Sequence, residues 1–270
     1  MKDIVVGCIS NYLPVHIAPW VDSLNKSGFK GDKVIISFGV PDVTVEYLNR
    51  NGFEVYAIAP NGRHIVIERF YALWEFLNEV ADNYRYIITT DVKDVIFQTN
   101  PSEWLEANLC GKRILISSEC LRYENEDWGN ENLFLSYPQF YSSNKENIIY
   151  NAGTVAGEVN YMKDFFLHIY NLSLIGQDPQ PDQAALNILA HTYPFKDVVL
   201  FANQEDGWCC QLGTTLDPRV KEKYSPYHLE PLPVYDNEGR VYNSKSKLFC
   251  LVHQYDRVPE LKNIILNKFK

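Results

Sequence analysis

The chain has 270 residues and a formal net charge of −9, because 34 acidic side chains outnumber 25 basic ones. This excess argues against a nucleic-acid backbone or an anionic membrane as the main partner. A small anionic ligand stays possible if a metal ion or a few local cations offset the repulsion. The 46% hydrophobic and 22% charged fractions are those of a folded globular protein, and we expect a single domain over residues 1–270.

Short apolar runs alternate with amphipathic segments through the first 120 residues. Gly28 and Gly52 follow two of the amphipathic segments, as expected where a helix ends. The predicted elements are strand Ile4–Ile9, helix Ala18–Ser27, strand Val34–Phe38, helix Val43–Asn51, strand Glu54–Ala59, helix Phe70–Val80, strand Tyr86–Thr90 and strand Arg113–Ser118. This alternation predicts an α/β fold with a doubly wound, mainly parallel sheet. Ligands of such sheets lie beyond the carboxyl ends of the strands, where this chain has Ser10, Asn11 and Asp91.

The second half of the chain is less regular. Residues 122–147 are polar and aromatic with few aliphatic side chains, and residues 206–247 contain four prolines. Both segments are predicted to be mostly loop. Helices are expected from about Asn160 to Leu172 and over Gln183–Ala190. We therefore expect a loop-rich C-terminal half within the same domain.

The cysteines and the N-terminal residues indicate the cellular compartment in which we expect the protein. The six cysteines show no CxxC spacing, which favours a reduced, cytoplasmic protein. The apolar run near the N-terminus has only about six residues, too few for a signal peptide. No stretch approaches the ~18 apolar residues of a membrane span, so we expect no membrane segment.

Two carboxylates, Asp91 and Asp94, follow a predicted buried strand. Mg²⁺ and Mn²⁺ prefer oxygen ligands, and their sites often combine one or two carboxylates with substrate phosphates. An acidic turn at a strand end can therefore hold a metal ion that in turn holds a diphosphate. The alternative is an ordinary strand-exit turn in which one carboxylate caps backbone N–H groups. The spacing alone leaves both open.

The acidic run Ile88–Pro101 (ITTDVKDVIFQTNP) resembles the metal-binding motif of GT-A fold glycosyltransferases, which use nucleotide-diphosphate sugars. Four further segments resemble motifs of glycogenin-like and related enzymes, in the expected order. They are the arginine helix at Glu68–Phe70, the Asn-Ala-Gly segment at Asn151–Gly157, the Asp-Gln helix start at Pro181–Asn187 and the late histidine at Val252–Tyr255. The resemblance spans roughly residues 4–257. It implies a GT-A type domain with a nucleotide-binding half at 1–120 and an acceptor-binding half at 121–270.

The acidic motif departs from the family pattern. The usual sequence is Asp-x-Asp, whereas Lys93 stands here where the second carboxylate is expected and Asp94 follows it. The turn could be one residue longer with Asp94 still reaching the metal, or Asp91 could bind nearly alone, or Lys93 could replace the charge of the metal. We prefer the first, because an isolated carboxylate before the apolar run Val95–Phe97 would be costly to bury.

The resemblance implies a role for each candidate residue. Mn²⁺ or Mg²⁺ would be held by Asp91, Asp94 and His253. Asp182 would be the catalytic carboxylate, as general base in an inverting enzyme or as a group that orients the sugar in a retaining one. The glycogenin-like resemblance favours retention. The donor would be bound by Ser10, Asn11, Arg69, Lys93, Asn151, Ala152, Gly153 and Gln183.

Several candidates also have an ordinary structural explanation. His253 lies in an apolar run and could be a core histidine. Asp182 could be only the N-cap of its helix, and Arg69 could be a surface cation. Asn151–Gly157 could be a glycine-containing turn.

We therefore expect a metal-dependent glycosyltransferase that moves a sugar from a nucleotide-diphosphate donor, with a UDP-sugar favoured, to a hydroxyl of a glycan or another acceptor. Trp128 and the tyrosines of 122–147 could stack on that acceptor or only anchor the segment. Two alternatives remain. A sugar-phosphate nucleotidyltransferase typically opens with a glycine-rich phosphate loop and a lysine, which the first turn of this chain lacks. A non-catalytic carbohydrate-binding protein on the same scaffold would fit the irregular acidic motif.

Overall fold

The computed structural model describes residues 1–59 and 62–269. Its strands are β1 (Lys2–Ile9), β2 (Asp32–Ser37), β3 (Glu54–Ala57), β4 (Tyr84–Thr90), β5 (Val95–Phe97), β6 (Ile114–Arg122), β7 (Ile148–Glu158), β8 (Val199–Ala202), β9 (Cys209–Gln211), β10 (Val234–Tyr235), β11 (Val241–Tyr242) and β12 (Leu251–His253). Its α-helices are α1 (Pro14–Lys26), α2 (Asp42–Arg50), α3 (Ile65–Val80), α4 (Pro101–Asn108), α5 (Asp127–Ser136), α6 (Pro138–Asn144), α7 (Val159–Ser173), α8 (Asp182–Ala190), α9 (Leu212–Thr215), α10 (Lys221–Tyr224) and α11 (Pro259–Lys268). Within these described ranges, no helix combines the length and the apolar character that crossing a membrane requires.

Seven of these strands form one central sheet in the order β3-β2-β1-β4-β7-β6-β8. The strands β3, β2, β1 and β4 run parallel, β7 is antiparallel to both of its neighbours, and β6 is parallel to β8. Helices α3, α7 and α8 contribute to the apolar core on one face of the sheet, and α1 and α4 to the core on the other. The predicted α/β class and mainly parallel sheet are therefore confirmed.

Packing against β1 and α1 fixes the carboxyl end of β4. Gly7 of β1 leaves room for Val92, because a Cβ at Gly7 would lie 2.5 Å from Val92 Cγ2. Trp20 of α1 donates its indole N–H to Thr90 Oγ1 at 2.7 Å. These contacts hold the residues immediately before and after Asp91, so the position of that carboxylate is set by the core.

β7 is a bulged strand, not the glycine-containing turn that the sequence left open for Asn151–Gly157. Its pairing with β6 jumps from Leu115↔Ala156 to Ser117↔Asn151. Over this interval β7 uses three more residues than β6, as in an extended β-bulge. The bulge frees backbone groups of β7 for side chains of α3 and α8 and for the backbone N–H of Asp91.

A second, three-stranded sheet has the order β5-β12-β9. In the antiparallel pair β5–β12, His253 lies opposite Val95, and in the parallel pair β12–β9 it lies beside Gln211. Since Asp94 directly precedes β5, this pairing brings His253 next to the acidic turn although the two are far apart in the sequence.

Residues 122–147 contain the helices α5 and α6, so the prediction of a long loop is wrong there. Glu126 caps α5 by accepting hydrogen bonds from the N–H groups of Trp128 at 3.2 Å and Gly129 at 2.5 Å. The helices lacked the aliphatic periodicity on which the prediction relied, because polar and aromatic side chains supply much of their packing. In residues 206–247 the elements are only two to four residues long, in agreement with the prediction of mostly irregular structure.

Asn187 of α8 is 1% exposed and forms hydrogen bonds with the backbone of β7. Its Oδ1 accepts from the Tyr150 N–H at 2.9 Å, and its Nδ2 donates to the Tyr150 C=O at 2.7 Å. The side chain thus satisfies two buried backbone groups of the bulged strand, which would otherwise carry a desolvation penalty.

Replacing Asn187 with alanine should lower the free energy of unfolding by about 2–4 kcal/mol, because the N–H and C=O groups of Tyr150 would be left buried without a hydrogen-bond partner. Denaturant unfolding measures this. Asn78→Ala is the matched control, since Asn78 is an exposed helix asparagine whose Nδ2 donates to the Trp74 C=O at 3.0 Å. We expect that control to stay within about 0.5 kcal/mol of the wild type. Equal losses in the two variants would contradict this role for Asn187.

Candidate metal and donor site

Three potential metal ligands, Asp91, Asp94 and His253, converge beyond the carboxyl end of β4, and we call them the Asp–Asp–His cluster. His253 Nε2 lies 3.5 Å from Asp91 Oδ2 and 3.6 Å from Asp94 Oδ1. One ligand atom from each residue lies within 4.8 Å of the others. His253 is buried, and both carboxylates are half-buried. Asp94 therefore reaches the cluster despite the extra residue in the turn.

The segment after β12 holds the acidic turn in place. The Gln254 N–H donates to the Asp94 C=O at 2.8 Å, and the Tyr255 hydroxyl donates to the Lys93 C=O at 3.1 Å. The side chain of Lys93 is exposed. Because the backbone on both sides of Asp94 is bound to the β12 exit, the two carboxylates and His253 form one connected unit.

Gln211 orients the imidazole of His253. Gln211 Oε1 lies 2.7 Å from His253 Nδ1, while its Nε2 donates to Ser117 Oγ at 2.8 Å and to Thr154 Oγ1 at 3.2 Å. A carbonyl oxygen only accepts, so Nδ1 carries a proton and Nε2 faces the carboxylates. This is the arrangement in which a second residue fixes the tautomer of a ligating histidine. Sequence analysis missed Gln211, since its contact arises from the β9–β12 register.

Arg69 links two carboxylates and is not the surface cation that the sequence allowed. Its Nη1 lies 2.5 Å from Asp91 Oδ1 and its Nη2 lies 2.8 Å from Asp182 Oδ2. Only 14% of the Arg69 side chain is exposed. Asp182 is the first residue of α8, and the N-cap position belongs to Pro181, so the expectation that Asp182 caps this helix is wrong. The Arg69–Asp182 ion pair instead faces the cluster.

Burial and charge set the protonation of the cluster. Burial acts to raise the pKa of Asp91, but Arg69 and His253 lower it to about 2. Burial would lower the pKa of His253, but Asp94 and Asp91 raise it to about 10. Without a metal ion, the imidazole at neutral pH is therefore a cation between two anions. A divalent cation can take over that positive charge once the proton leaves Nε2.

Gly153 of β7 allows the strand to pass close to the cluster. A Cβ at Gly153 would lie 2.4 Å from Asp91 Oδ2 and 2.8 Å from His253 Cε1. The Gly153 C=O also accepts from the Asp91 N–H at 2.7 Å. A side chain at this position would occupy the space between the ligand atoms, which is the physical reason for glycine here.

The neighbouring residues of β7 are held by polar side chains. Asn151 Nδ2 donates to Glu119 Oε1 at 2.6 Å, and Asn151 Oδ1 accepts from the Gly153 N–H at 2.6 Å. Gln183 Oε1 accepts from the Ala152 N–H at 3.3 Å. These bonds position Asn151 and Gln183 along one wall of the site.

Glu119 of β6 is a residue that sequence analysis missed. It is 5% exposed, and burial, together with repulsion by the Glu126 carboxylate, raises its pKa to about 7. The predicted strand ended at Ser118, so Glu119 immediately follows a predicted strand end. The carboxyl-end rule that selected Ser10 and Asp91 would have selected it as well.

Two cavities of about 450 and 320 Å³ open at this edge of the sheet. Both are lined by Arg69, Asp91, Asp94 and Arg257, so they adjoin at the cluster. The larger cavity is also lined by Asn151, Ala152, Gly153, Asp182, Gln183 and His253. The smaller cavity is also lined by Ser10 and Lys93. Asn11 is exposed and lies outside the lining of both.

No protein-family model matches the chain, and no curated protein is a significant match. The chemistry of the site therefore rests on its geometry. Two carboxylates and an imidazole whose Nε2 faces them can hold a divalent ion once that nitrogen loses its proton. Arg69 and Arg257 can contact an anionic ligand, and the larger cavity offers further carboxyl groups beside that ligand.

Binding of Mn²⁺ should release about one proton per ion near neutral pH, because the pKa of His253 is about 10 and Nε2 must be unprotonated to bind. Asp91 is already ionised, so it adds no proton. The apparent affinity should rise about tenfold per pH unit between about pH 6.5 and 8. Calorimetric titration in two buffers of different ionisation enthalpy counts the proton, and absence of proton release would contradict this electrostatic description.

Proposed function

We propose that this chain is a GT-A type glycosyltransferase, which transfers a sugar from a nucleotide-diphosphate donor to an acceptor hydroxyl. The observation that carries the proposal is that two cavities meet at the Asp–Asp–His cluster, with the Arg69–Asp182 ion pair beside it. A donor nucleotide in one cavity and an acceptor in the other would place the transferred sugar at their junction. The position of the site at the carboxyl edge of a mainly parallel sheet supports this assignment.

Three features fit a divalent cation at the Asp–Asp–His cluster. The donor set contains two carboxylates, Gln211 leaves the His253 Nε2 as the ligating nitrogen, and Gly153 leaves the space between the ligand atoms open. Mn²⁺ or Mg²⁺ bound there would stabilise the negative charge that develops on the leaving diphosphate. Lys93 is exposed and outside the cluster, which disfavours the idea that it replaces the metal.

The smaller cavity suits the nucleotide diphosphate. It lies at the carboxyl ends of β1 and β4, with Ser10 in its wall. Lys93 and Arg257 also line it, and their charges can form charge-assisted hydrogen bonds to phosphate oxygens. Since Asn11 lies outside the lining, Ser10 is the better of the two candidates for the ribose or base. A UDP-sugar remains the favoured donor.

Two carboxyl groups of the larger cavity suit different tasks, because their surroundings differ. Arg69 holds the Asp182 carboxylate at 2.8 Å, which suits it to orient the transferred sugar. Glu119, with a pKa of about 7, can take up a proton near neutral pH. In the transfer, the acceptor oxygen bonds to the anomeric carbon, and the bond from that carbon to the diphosphate breaks with its electron pair on the diphosphate. The acceptor proton passes to a cavity carboxylate, for which Glu119 is our candidate.

The proposal predicts metal-dependent turnover of a nucleotide sugar. In a panel of UDP-, GDP- and CMP-sugars, at least one should be hydrolysed slowly with Mn²⁺, and a chelator should abolish the reaction. Asp94→Asn should lower kcat/KM for donor hydrolysis about 100-fold or more, because it removes one ligand of the metal but leaves the Arg69 ion pairs intact. Release of the nucleoside diphosphate, followed by chromatography, measures both effects.

The matched control for that variant is Asp32→Asn. Asp32 is also half-buried and hydrogen-bonded, to Lys2 and Tyr84, but it lies at the opposite, amino-terminal edge of the sheet. Its activity should equal that of the wild type. The proposal is contradicted if no sugar nucleotide in the panel is hydrolysed or bound in a metal-dependent way, or if Asp94→Asn and Asp32→Asn behave alike.

A further inference from the structure

Among the tryptophans of the residues that the structure describes, Trp128 alone is exposed. It lies in the first turn of α5, lines the larger cavity, and is 48% exposed. By contrast Trp20, Trp104 and Trp208 are buried and Trp74 is half-buried. Cavities that bind small ligands are commonly lined by aromatic side chains with a few polar groups, and the exposed ring of Trp128 is available for such a contact.

The backbone under this indole ring is firmly held. Glu126 Oε1 accepts from the Trp128 N–H at 3.2 Å and from the Tyr224 hydroxyl at 2.9 Å. Asn132, about one turn further along α5, donates to the Gln180 C=O at 2.9 Å, in the segment that leads into α8. The ring is therefore presented by a fixed helix start, so a ligand that covers it loses little binding energy to ordering.

The wall around Trp128 is polar and acidic. Glu119, Glu126 and Asp217 all line the larger cavity. Arg219 is held by Asp217, with Nε at 2.9 Å from Oδ1 and Nη2 at 2.5 Å from Oδ2, and Arg257 is assigned above to the donor diphosphate. An anionic acceptor would meet net negative charge here, whereas neutral hydroxyl groups can donate hydrogen bonds to carboxylate oxygens.

We propose that the acceptor is a carbohydrate, one sugar ring of which packs on the indole of Trp128 while its hydroxyls donate to the acidic wall of the larger cavity. A sugar ring combines an apolar C–H face with several uncharged donors, which is the complement of an aromatic face among carboxylates. This inference rests on the proposed function and names its acceptor class. A hydroxyl of the acceptor sugar supplies the attacking oxygen in the transfer described above, so the products are a new glycosidic linkage and the nucleoside diphosphate.

The test uses the full chain with Mn²⁺ and whichever sugar nucleotide it hydrolyses. Acceptors are p-nitrophenyl α- and β-glycosides of glucose, galactose, mannose, xylose and N-acetylglucosamine, compared with glycerol and with a serine- and threonine-rich peptide. Trp128→Ala should lower kcat/KM for glycoside transfer about 10-fold or more, mainly through KM, while donor hydrolysis stays unchanged. Trp128→Phe should retain most of the transfer, because it keeps an aromatic face.

Phe134→Ala is the matched control. Phe134 is on the same helix and 54% exposed, but it lies outside the lining of both cavities. Its transfer should equal that of the wild type. If donor hydrolysis proceeds but no glycoside is accepted, if glycerol or the peptide is preferred, or if Trp128→Ala transfers as well as Phe134→Ala, the carbohydrate acceptor is refuted while the proposed function stands. Absence of any metal-dependent donor turnover would instead refute the proposed function itself.

Discussion

Two carboxylates at the end of a buried strand cannot lie close together without a positive charge between them, and in this protein the imidazole of His253 supplies it. Its Nε2 is within 3.6 Å of both Asp91 and Asp94. The residues around the cluster also help to hold the two carboxylates close together. Arg69 neutralises the other oxygen of Asp91, Gln211 keeps Nε2 directed at the carboxylates, and the acidic turn is bound to the exit of β12. A proton on His253 therefore supplies positive charge between the two carboxylates, and a divalent metal ion can supply it instead once that proton leaves.

The net charge of −9 matters most through the way in which charges are distributed around the site. The cleft around the cluster is acidic on the side of the larger cavity, since Asp182, Glu119 and Glu126 line that cavity, whereas we assign the diphosphate to the smaller one. A diphosphate can enter such a cleft only where cations outweigh the carboxylates locally. The junction of the two cavities is that place, because Arg69 and Arg257 line both and the metal ligands lie between them. The rest of the wall of the larger cavity favours neutral groups that carry hydroxyls.

The sequence predicted β1 to β4 and β6 well, because each was a short apolar run bounded by turn residues, whereas it did not predict β8 of the same sheet. It also indicated Asp91, Asp94 and His253, through a resemblance whose GT-A assignment and activity remain proposals. What it missed depends on tertiary contacts. Gln211 acquires its role from the β9–β12 register, and β7 is a strand because it pairs with β4 and β6 on its two sides. The helices of residues 122–147 lack aliphatic periodicity. The resemblance indicated Asp182 as the catalytic carboxylate, but its ion pair with Arg69 joins residues 113 positions apart in the sequence, and no local pattern encodes that contact.

We propose that the Asp–Asp–His cluster exchanges a proton for a divalent cation that then holds the donor. A crystal structure of the chain with Mn²⁺ and UDP, with the manganese located by its anomalous scattering, tests this most directly. We expect one strong peak within coordination distance of Asp91, Asp94 and the His253 Nε2, with diphosphate oxygens on the same ion. An ion bound elsewhere, or a nucleotide bound while His253 still bridges the two carboxylates, would contradict it.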